Sequence, residues 1–521
     1  SGRRISRGSN RMPLDPHRED LVIGVVGTGT MGRGIVQVAA QGGMRVIAYD
    51  ENPEAAEAAL QEIQHALARL VEKGRTDKAA ADAAVARISI ADSLAQIATA
   101  DVIIEAIIER LDTKQELFAT LDRLASPDAI IASNTSSLPI TAIAASCERP
   151  ERVAGMHFFN PVPLMKLVEI IPGLKTAPSV IQALTVIARR MTRVPVVCTD
   201  SPGFIVNHIG RAYVPEAARL VAEGIAEPVD IDRIMTEAVG MRMGPFALLD
   251  LIGSDVSVSV MESLWGQFYC EPMYAPHPIL KVRVAGGFYG RKSGAGWYTY
   301  ENGQRIEPPR AEPPAARPRS VWVSSQNPAG RDKAIALLKR LGASIETSAK
   351  PSAEALCIVT PTSRDCTSEV IQQGLDVRRT VALDTHFAYD KHRTLMLPPG
   401  IDPAMREAAH GLLASDGAGV SVISDSPGFV APRIVAHIIN VGCQVAQQKI
   451  ASPSDIDLGA KLGLSYPYGP LEWGDRLGPE WVLEVLEELQ RTYGEPRYRP
   501  SPWLKRRARL GLSLTTPDGR C

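Results

Sequence analysis

Gly27, Gly29 and Gly32 set a GxGxxG spacing between an apolar run at 21–26 and a segment whose Ile35, Val36, Val38, Ala39 and Ala40 read as the buried side of a helix. In a strand–turn–helix setting the first glycine lets the turn close, the second lets backbone approach a pyrophosphate, and the third allows close helix–strand packing. The helix N-terminus offers free N–H groups and partial positive charge to the phosphates. Thr28, Thr30 and Met31 complete this cradle. A glycine turn by itself is a common structural device. What points to a dinucleotide is Asp50, 18 residues past the last glycine and at the end of a second strand run, 45–49. A carboxylate there accepts hydrogen bonds from a ribose 2′-hydroxyl and repels a 2′-phosphate, so the expected cofactor is NAD rather than NADP.

His157 lies in the apolar run 153–159 and Glu169 in the next, 167–171, past a turn built around Pro161 and Pro163. A histidine in an apolar strand is commonly a satisfied core residue, and a glutamate at a strand edge commonly a solvated charge. Two adjacent strands can bring this imidazole and carboxylate together, however, and a buried carboxylate favours the protonated ring and fixes its tautomer. Oxidising an alcohol needs a base for the hydroxyl proton as hydride leaves the carbon. An imidazole, with an ordinary pKa of about 6.5, suits that task at neutral pH. Ser136 ends another strand run, in Ser133-Asn-Thr-Ser-Ser137, at the carboxyl edge where doubly wound sheets bind ligands. Its plain structural role would be to cap the following helix, which Ser137 could do as well.

These side chains need a sheet to hold them. Apolar runs at 21–26, 45–49, 102–108, 129–132, 153–159, 167–171 and 194–198 alternate with Ala-rich helical stretches, the pattern of a doubly wound Rossmann-type α/β domain over 21–200. From 201 to 301 the pattern turns helical (204–223, 230–239, 245–268, 277–285) and strand runs are absent, which reads as an all-α domain. Residues 302–319 carry five prolines among charges and read as a stiff linker. Beyond it the chain repeats itself. Asp200-Ser-Pro-Gly-Phe204 recurs as Asp425-Ser-Pro-Gly-Phe429, Asp230-Ile-Asp232 as Asp455-Ile-Asp457, Gly244-Pro245 as Gly469-Pro470 and Asp250 as Asp475, all at one constant offset. Residues 320–422 keep an αβ alternation (strand runs 321–323, 356–359 and 381–383, helix 333–341) and read as a reduced Rossmann-like domain, followed by a second all-α domain over 423–521.

Composition narrows the partners. The chain has 521 residues, 57 basic against 58 acidic, so no global field draws it to nucleic acid or a membrane. Its seven cysteines are scattered, with no CxxC pair or Cys/His cluster of zinc spacing, which fits a reducing, cytoplasmic setting and no metal. No apolar run approaches the ~18 residues needed to span a bilayer. Residues 1–20 read as a disordered tail, the first ten of them loosely like a transit peptide in being rich in Arg and Ser without acid.

Six segments together resemble the 3-hydroxyacyl-coenzyme A dehydrogenase family: Gly27-Thr-Gly-Thr-Met-Gly-Arg-Gly34, Ser133-Asn-Thr-Ser-Ser-Leu138, Gly155-Met-His-Phe-Phe-Asn-Pro161, Lys166-Leu-Val-Glu169, Asp200-Ser-Pro-Gly-Phe-Ile-Val-Asn207 and Gly290-Arg-Lys-Ser-Gly294. They cover residues 21–300 in order. The doubled form is similar to the long bacterial 3-hydroxybutyryl- and 3-hydroxyadipyl-coenzyme A dehydrogenases. The resemblance implies NAD-dependent oxidation of a 3-hydroxyacyl-CoA, a step of fatty-acid β-oxidation chemistry, with a His157/Glu169 base. It further implies that Ser136 touches substrate oxygen and cofactor, and that Asn207 polarises the same oxygen from the helical domain across a closing cleft. It places Glu109, Lys114, Asn160 and Lys292 near the NAD and Lys73 near the coenzyme A portion. The companion position to Lys73 holds Ala66, where a serine could donate a hydrogen bond. Only about 20 residues precede the first strand, so no hydratase domain is expected there.

The second half departs from the motif at each catalytic point. It has no GxGxxG after 321–323, Pro398 twelve residues past His386 where a glutamate is needed, and Pro432 in place of Asn207's counterpart. One active site per chain is expected, with His386 and His208 structural. The two helical domains are expected to pair as an intrachain pseudo-dimer, and a homo-oligomer stays open. Two other readings compete: a dehydrogenase of a non-CoA hydroxy acid or sugar acid, which would share the dinucleotide domain, and a catalytically silent binding or scaffold subunit, suggested by the decayed second half.

Overall fold

The computed structural model describes residues 14–310 and 312–519. The chain divides into two compact units, Ser1–Val206 with Lys449–Leu464, and Asn207–Gln448 with Ser465–Cys521.

The first unit holds an eight-stranded sheet in the order β3-β2-β1-β4-β5-β6-β7-β8. Its strands are β1 (Val22–Val26), β2 (Arg45–Tyr49), β3 (Ile88–Ile90), β4 (Val102–Glu105), β5 (Ile130–Ser133), β6 (Val153–Phe158), β7 (Leu167–Pro172) and β8 (Val194–Val197). Only β6 and β7 run antiparallel. Strands of a parallel sheet are covered on both faces, and β4 and β5 are accordingly buried throughout. Ile23, Val25, Ile104 and Ile130 form the core with Ile35, Val38 and Ala39 of helix Thr30–Gln41. Chain order reverses between β1 and β4, so the glycine turn after β1 opens at the switch point where such sheets bind ligands.

Three local expectations differ. The run 102–108 stops being a strand at Glu105, whose own carboxylate accepts the Ile107 N–H at 2.7 Å and turns the chain. The three-residue β3 is too short for a periodicity signal. Residues 14–20 are not a tail: Leu14 is buried in the core, Arg18 pairs with Asp101 at 2.7 Å, and Arg190 donates to the Pro16 and Arg18 carbonyls. The reading of residues 1–10 lies outside the described residues.

In the second unit, the helix expected over 204–223 is divided into Val206–Ile209, a 3-10 turn Gly210–Ala212 and helix Tyr213–Ala222. The one expected over 245–268 splits at Gly253, which takes φ +101 between Pro245–Ile252 and Ser254–Gln267. The region is not purely helical. A hairpin of β9 (Thr299–Glu301) and β10 (Gln304–Ile306) occupies the start of the proposed linker, and the next residues are tied down by Arg233 donating to the Pro308 carbonyl at 2.6 Å and by an Arg310–Glu237 ion pair.

The reduced domain is a six-stranded sheet in the order β12-β11-β13-β14-β15-β16, made of β11 (Val321–Val323), β12 (Ile345–Glu346), β13 (Leu356–Val359), β14 (Thr380–Leu383), β15 (His392–Leu397) and β16 (Gly419–Ser424). Its last four strands repeat the parallel, antiparallel, parallel pairing of β5 to β8. The Asp425 carboxylate holds the N–H groups of Cys366 and Thr367 as Asp200 holds those of Ile140 and Thr141. Strand register corrects one alignment. Leu383 pairs with Leu395, and the Asp384 N–H donates to Thr394, so Asp384 and Thr394 stand where His157 and Glu169 do, rather than His386 and Pro398. His386 Nδ1 lies 2.9 Å from that Asp384 carboxylate.

Helix Ala431–Gln447 is almost wholly buried and packs on Tyr213–Ala222. Arg433 stands 225 positions past His208. His208 pairs with the Tyr274 hydroxyl at 2.7 Å, and burial pushes its imidazole down to about 3, so it is neutral at pH 7. Arg433 instead reaches Tyr498 at 2.8 Å, Glu216 at 2.6 Å and Glu223 at 2.8 Å, and Arg497 lies 2.9 Å from the other Glu216 oxygen. Removing one partner from such a buried group leaves uncompensated charge, so Arg433→Met should destabilise the chain by about 3 kcal/mol in denaturant unfolding, the low end of the usual range because Arg497 remains. An unchanged midpoint would mean that the Arg433–Glu216 pair contributes nothing net.

Candidate active site

Glycine geometry tests whether the turn after β1 can hold a dinucleotide. Gly27 takes φ +91, and a Cβ there would sit 2.6 Å from the Ala106 carbonyl oxygen. A Cβ on Gly32 would lie 1.7 Å from the Gly27 carbonyl oxygen, so no side chain fits between strand and helix. A Cβ on Gly29 would meet nothing within 4 Å, which leaves open space over the helix start. No side chain caps helix Thr30–Gln41, so its first N–H groups remain available to an anion. Asp50, at the end of β2, accepts from Thr28 N at 2.7 Å and Thr28 Oγ1 at 2.9 Å. The carboxylate is thus held at the edge of the same turn. The arrangement fits a pyrophosphate on the glycine turn and a ribose at Asp50.

β6 and β7 pair with His157 directly opposite Glu169. His157 Nδ1 lies 2.6 Å from Glu169 Oε2, and the other carboxylate oxygen accepts the backbone N–H groups of Ile205 and Val206, both at 2.9 Å. Glu169 is fully buried and His157 nearly so. The ring is further packed against Phe159 and Phe204, with centroids 4.4 and 5.8 Å away. Glu169 therefore has both oxygens engaged by donors, and with Nδ1 turned to it the imidazole has Nε2 left for a reacting proton.

Ser136 lies on the loop after β5. Its N–H donates to Glu109 at 2.9 Å, alongside Thr135 Oγ1 at 2.6 Å and Ser137 N at 3.1 Å, so this serine-rich turn wraps one carboxylate. Burial works against that charge, but the Lys114 ammonium and the hydrogen bonds from Thr135 and Ser136 outweigh it and hold Glu109 below the usual carboxylate range. Lys114 is no surface charge. It is 1% exposed, 2.5 Å from the buried Glu105 and 3.3 Å from Glu109. Asn134 accepts the Phe158 N–H at 2.8 Å and so ties the serine turn to the strand of His157.

The remaining residues lie elsewhere. Asn160 is exposed after β6, and Lys73 is exposed at the end of helix Pro53–Glu72, with Ala66 half-buried on that helix. Asn207 and Lys292 belong to the second unit. There the Asn207 carbonyl accepts from Arg211 at 3.0 Å, and Lys292 pairs with Asp255 at 2.6 Å. Sequence reasoning missed Glu105 and the Ile205 and Val206 donors. A charge inside the apolar run 102–108 was a signal for Glu105, whereas backbone donors leave none.

The described family "3-hydroxyacyl-CoA dehydrogenase, NAD binding domain" matches residues 22–201, and the "3-hydroxyacyl-CoA dehydrogenase, C-terminal domain" matches twice, at 203–300 and 428–519. The chain is 37% identical over 489 residues to the 3-hydroxyadipyl-CoA dehydrogenase of Escherichia coli K12, covering 94% of this chain and 97% of that protein. It is 46% identical over 277 residues to a probable 3-hydroxybutyryl-CoA dehydrogenase of Bacillus subtilis, covering 53% of this chain and 96% of the relative. Among solved structures it is similar to a 3-hydroxybutyryl-CoA dehydrogenase from Escherichia coli K12, with TM-score 0.81 and 35% identity over 94% of this chain and 98% of that one.

Proposed function

Because the chain belongs to the 3-hydroxyacyl-CoA dehydrogenase family, we propose that it oxidises (3S)-3-hydroxyacyl-CoA to 3-ketoacyl-CoA with NAD, with His157 as base and Glu169 as the group that orients it. The observation that carries this reading is the 2.6 Å His157–Glu169 pair on opposed strands. NAD, when bound, would supply the hydride acceptor for C3. The glycine turn would hold its pyrophosphate and Asp50 its ribose, and Glu109, held by Lys114 and the serine turn, borders the same strand edge. His157 Nε2 takes the hydroxyl proton while Glu169 keeps the ring in one tautomer. By motif match we assign Ser136 and Asn207 to the substrate oxygen, Asn160 and Lys292 to the cofactor and Lys73 to the coenzyme A portion.

The names of the relatives favour a short or dicarboxylic acyl chain, 3-hydroxybutyryl or 3-hydroxyadipyl. NADH formation with these two thioesters against free 3-hydroxybutyrate tests the reading. Oxidation of the free acid at equal kcat/KM would favour a non-CoA dehydrogenase, and silence with every thioester a scaffold role. We further propose a cytoplasmic enzyme whose two helical regions pair within one chain. Among the described residues no helix is long and apolar enough to cross a membrane.

Asp50 sets the cofactor preference in this account. Asp50→Ala should narrow the NAD-over-NADP gap in kcat/KM, and it should raise KM for NAD because Thr28 loses its acceptor. Equal wild-type rates with both cofactors would remove the argument.

A further inference from the structure

Helix Pro453–Gly463 lies in the half that has lost its own His/Glu pair, yet it belongs to the first unit. It is seated at the end of β8: the Thr199 N–H donates to the Ile450 carbonyl at 2.8 Å, and Cys198 bridges Ala451. The second unit holds the reciprocal bond. There the Ser424 N–H donates to the Ile225 carbonyl, also at 2.8 Å, and both residues are 225 positions from their counterparts. Each half thus carries the segment that docks on the other half's sheet. One of these two contacts serves strands that hold Asp384 and Thr394, and the other serves the strands of His157 and Glu169.

The second contact touches what holds Glu169. A Cβ on Gly463 would lie 2.6 and 2.9 Å from the two Val206 methyls and 3.0 Å from Leu167, and a Cβ on Gly459 would lie 2.9 Å from Ile205. Ile205 and Val206 are the two residues whose N–H groups bind Glu169. Both are β-branched, so their methyls cannot swing away without changing rotamer. In the reciprocal segment, which serves no such pair, the same two positions hold Ile234 and Ala238, and the chain there widens into a π-helix. Glycine occurs where the helix must approach the Glu169 donors.

We propose that helix Pro453–Gly463 is a positioning element of the reaction: through Gly459 and Gly463 it seats Ile205 and Val206, whose N–H groups fix Glu169 and thereby His157. This rests on the assignment of His157 and Glu169 given above. The full-length chain with Gly463→Ala tests it. Alanine favours helix more than glycine does, so the helix itself is not weakened, and the added methyl must displace Val206.

We expect kcat for hydroxyacyl-CoA oxidation to fall about 10- to 100-fold, the scale of a sub-ångström to 1 Å misplacement, with NADH affinity unchanged. Adding Val206→Ala, which removes the clashing methyls and keeps the N–H, should recover most of the loss. Gly459→Ala should give a smaller fall of the same kind. Gly474→Ala, whose Cβ would crowd Leu514 and Ile439 in the second unit, should lower the melting temperature but not kcat. Wild-type kcat in Gly463→Ala, or a loss that Val206→Ala leaves unrelieved, overturns the proposal, provided that His157→Ala shows the loss of turnover expected for a base. If His157→Ala keeps full activity, the base assignment fails instead, and the proposal falls with it.

Discussion

Replacing His157 with alanine is expected to lower the turnover of 3-hydroxyacyl-CoA oxidation by about 10²–10⁴-fold, the usual loss when a general base is removed. Cofactor affinity should change little, because His157 sits on β6 whereas the turn proposed to receive the phosphates follows β1, with two strands, β4 and β5, between them in the sheet order. The loss should appear in kcat and kcat/KM alike, since the proton leaves the hydroxyl in the reacting state and not on binding. Steady-state NADH absorbance and a fluorescence titration of NADH separate the two quantities. The vacated side chain leaves Glu169 buried, with Oε1 still bound to Ile205 and Val206 but Oε2 without its partner. Some loss of stability is therefore expected as well, and turnover must be read below the new melting temperature. Undiminished turnover would put the base elsewhere.

How much of this was legible in the sequence depends on how local the cause is. The glycine turn, Asp50, and the strands of His157 and Glu169 were readable because each rests on a short spacing or an apolar run. The pairing of the last two followed from a single turn between antiparallel neighbours. Strand ends were less legible: Glu105 ends β4 through its own carboxylate, and that bond depends on a rotamer rather than a pattern. The burial of Lys114 had no local signal, because its two carboxylate partners, Glu105 and Glu109, are brought to it by the sheet. In the second half, chain distance suggested Pro398 as the counterpart of Glu169, but the register of β14 on β15 selects Thr394, since the connecting turn differs in length. The seating of Pro453–Gly463 at β8 had no local signal, because it joins residues about 250 positions apart.

A chain ending at Arg310 keeps the glycine turn, Ser136, His157, Glu169 and Asn207, yet it is expected to be insoluble or self-associated and to lose most of its activity. The first unit would lose Lys449–Leu464, exposing Leu167, Ile205 and Val206 beside Glu169. The second would lose Arg433 and Arg497, leaving Glu216 facing an uncovered apolar surface with neither of its cations. A buried carboxylate stripped of its partners costs several kcal/mol, and a broad exposed apolar face promotes association. Relatives such as the Bacillus subtilis protein match only 53% of this chain and are themselves covered to 96%, so a one-half length is workable for a member of the family. This particular half is poorly matched to a copy of itself. Where the missing segment offers Gly459, Gly463 and Arg433, a second copy would offer Ile234, Ala238 and His208. The bulkier side chains would crowd Ile205 and Val206, and a neutral histidine cannot balance Glu216. Even a soluble dimer of the truncated chain should therefore show reduced kcat and a lowered melting temperature, measured by light scattering, calorimetry and NADH formation on one preparation. A soluble monomer with full turnover and unchanged melting temperature would mean that the second half supports neither the fold nor the reaction of the first.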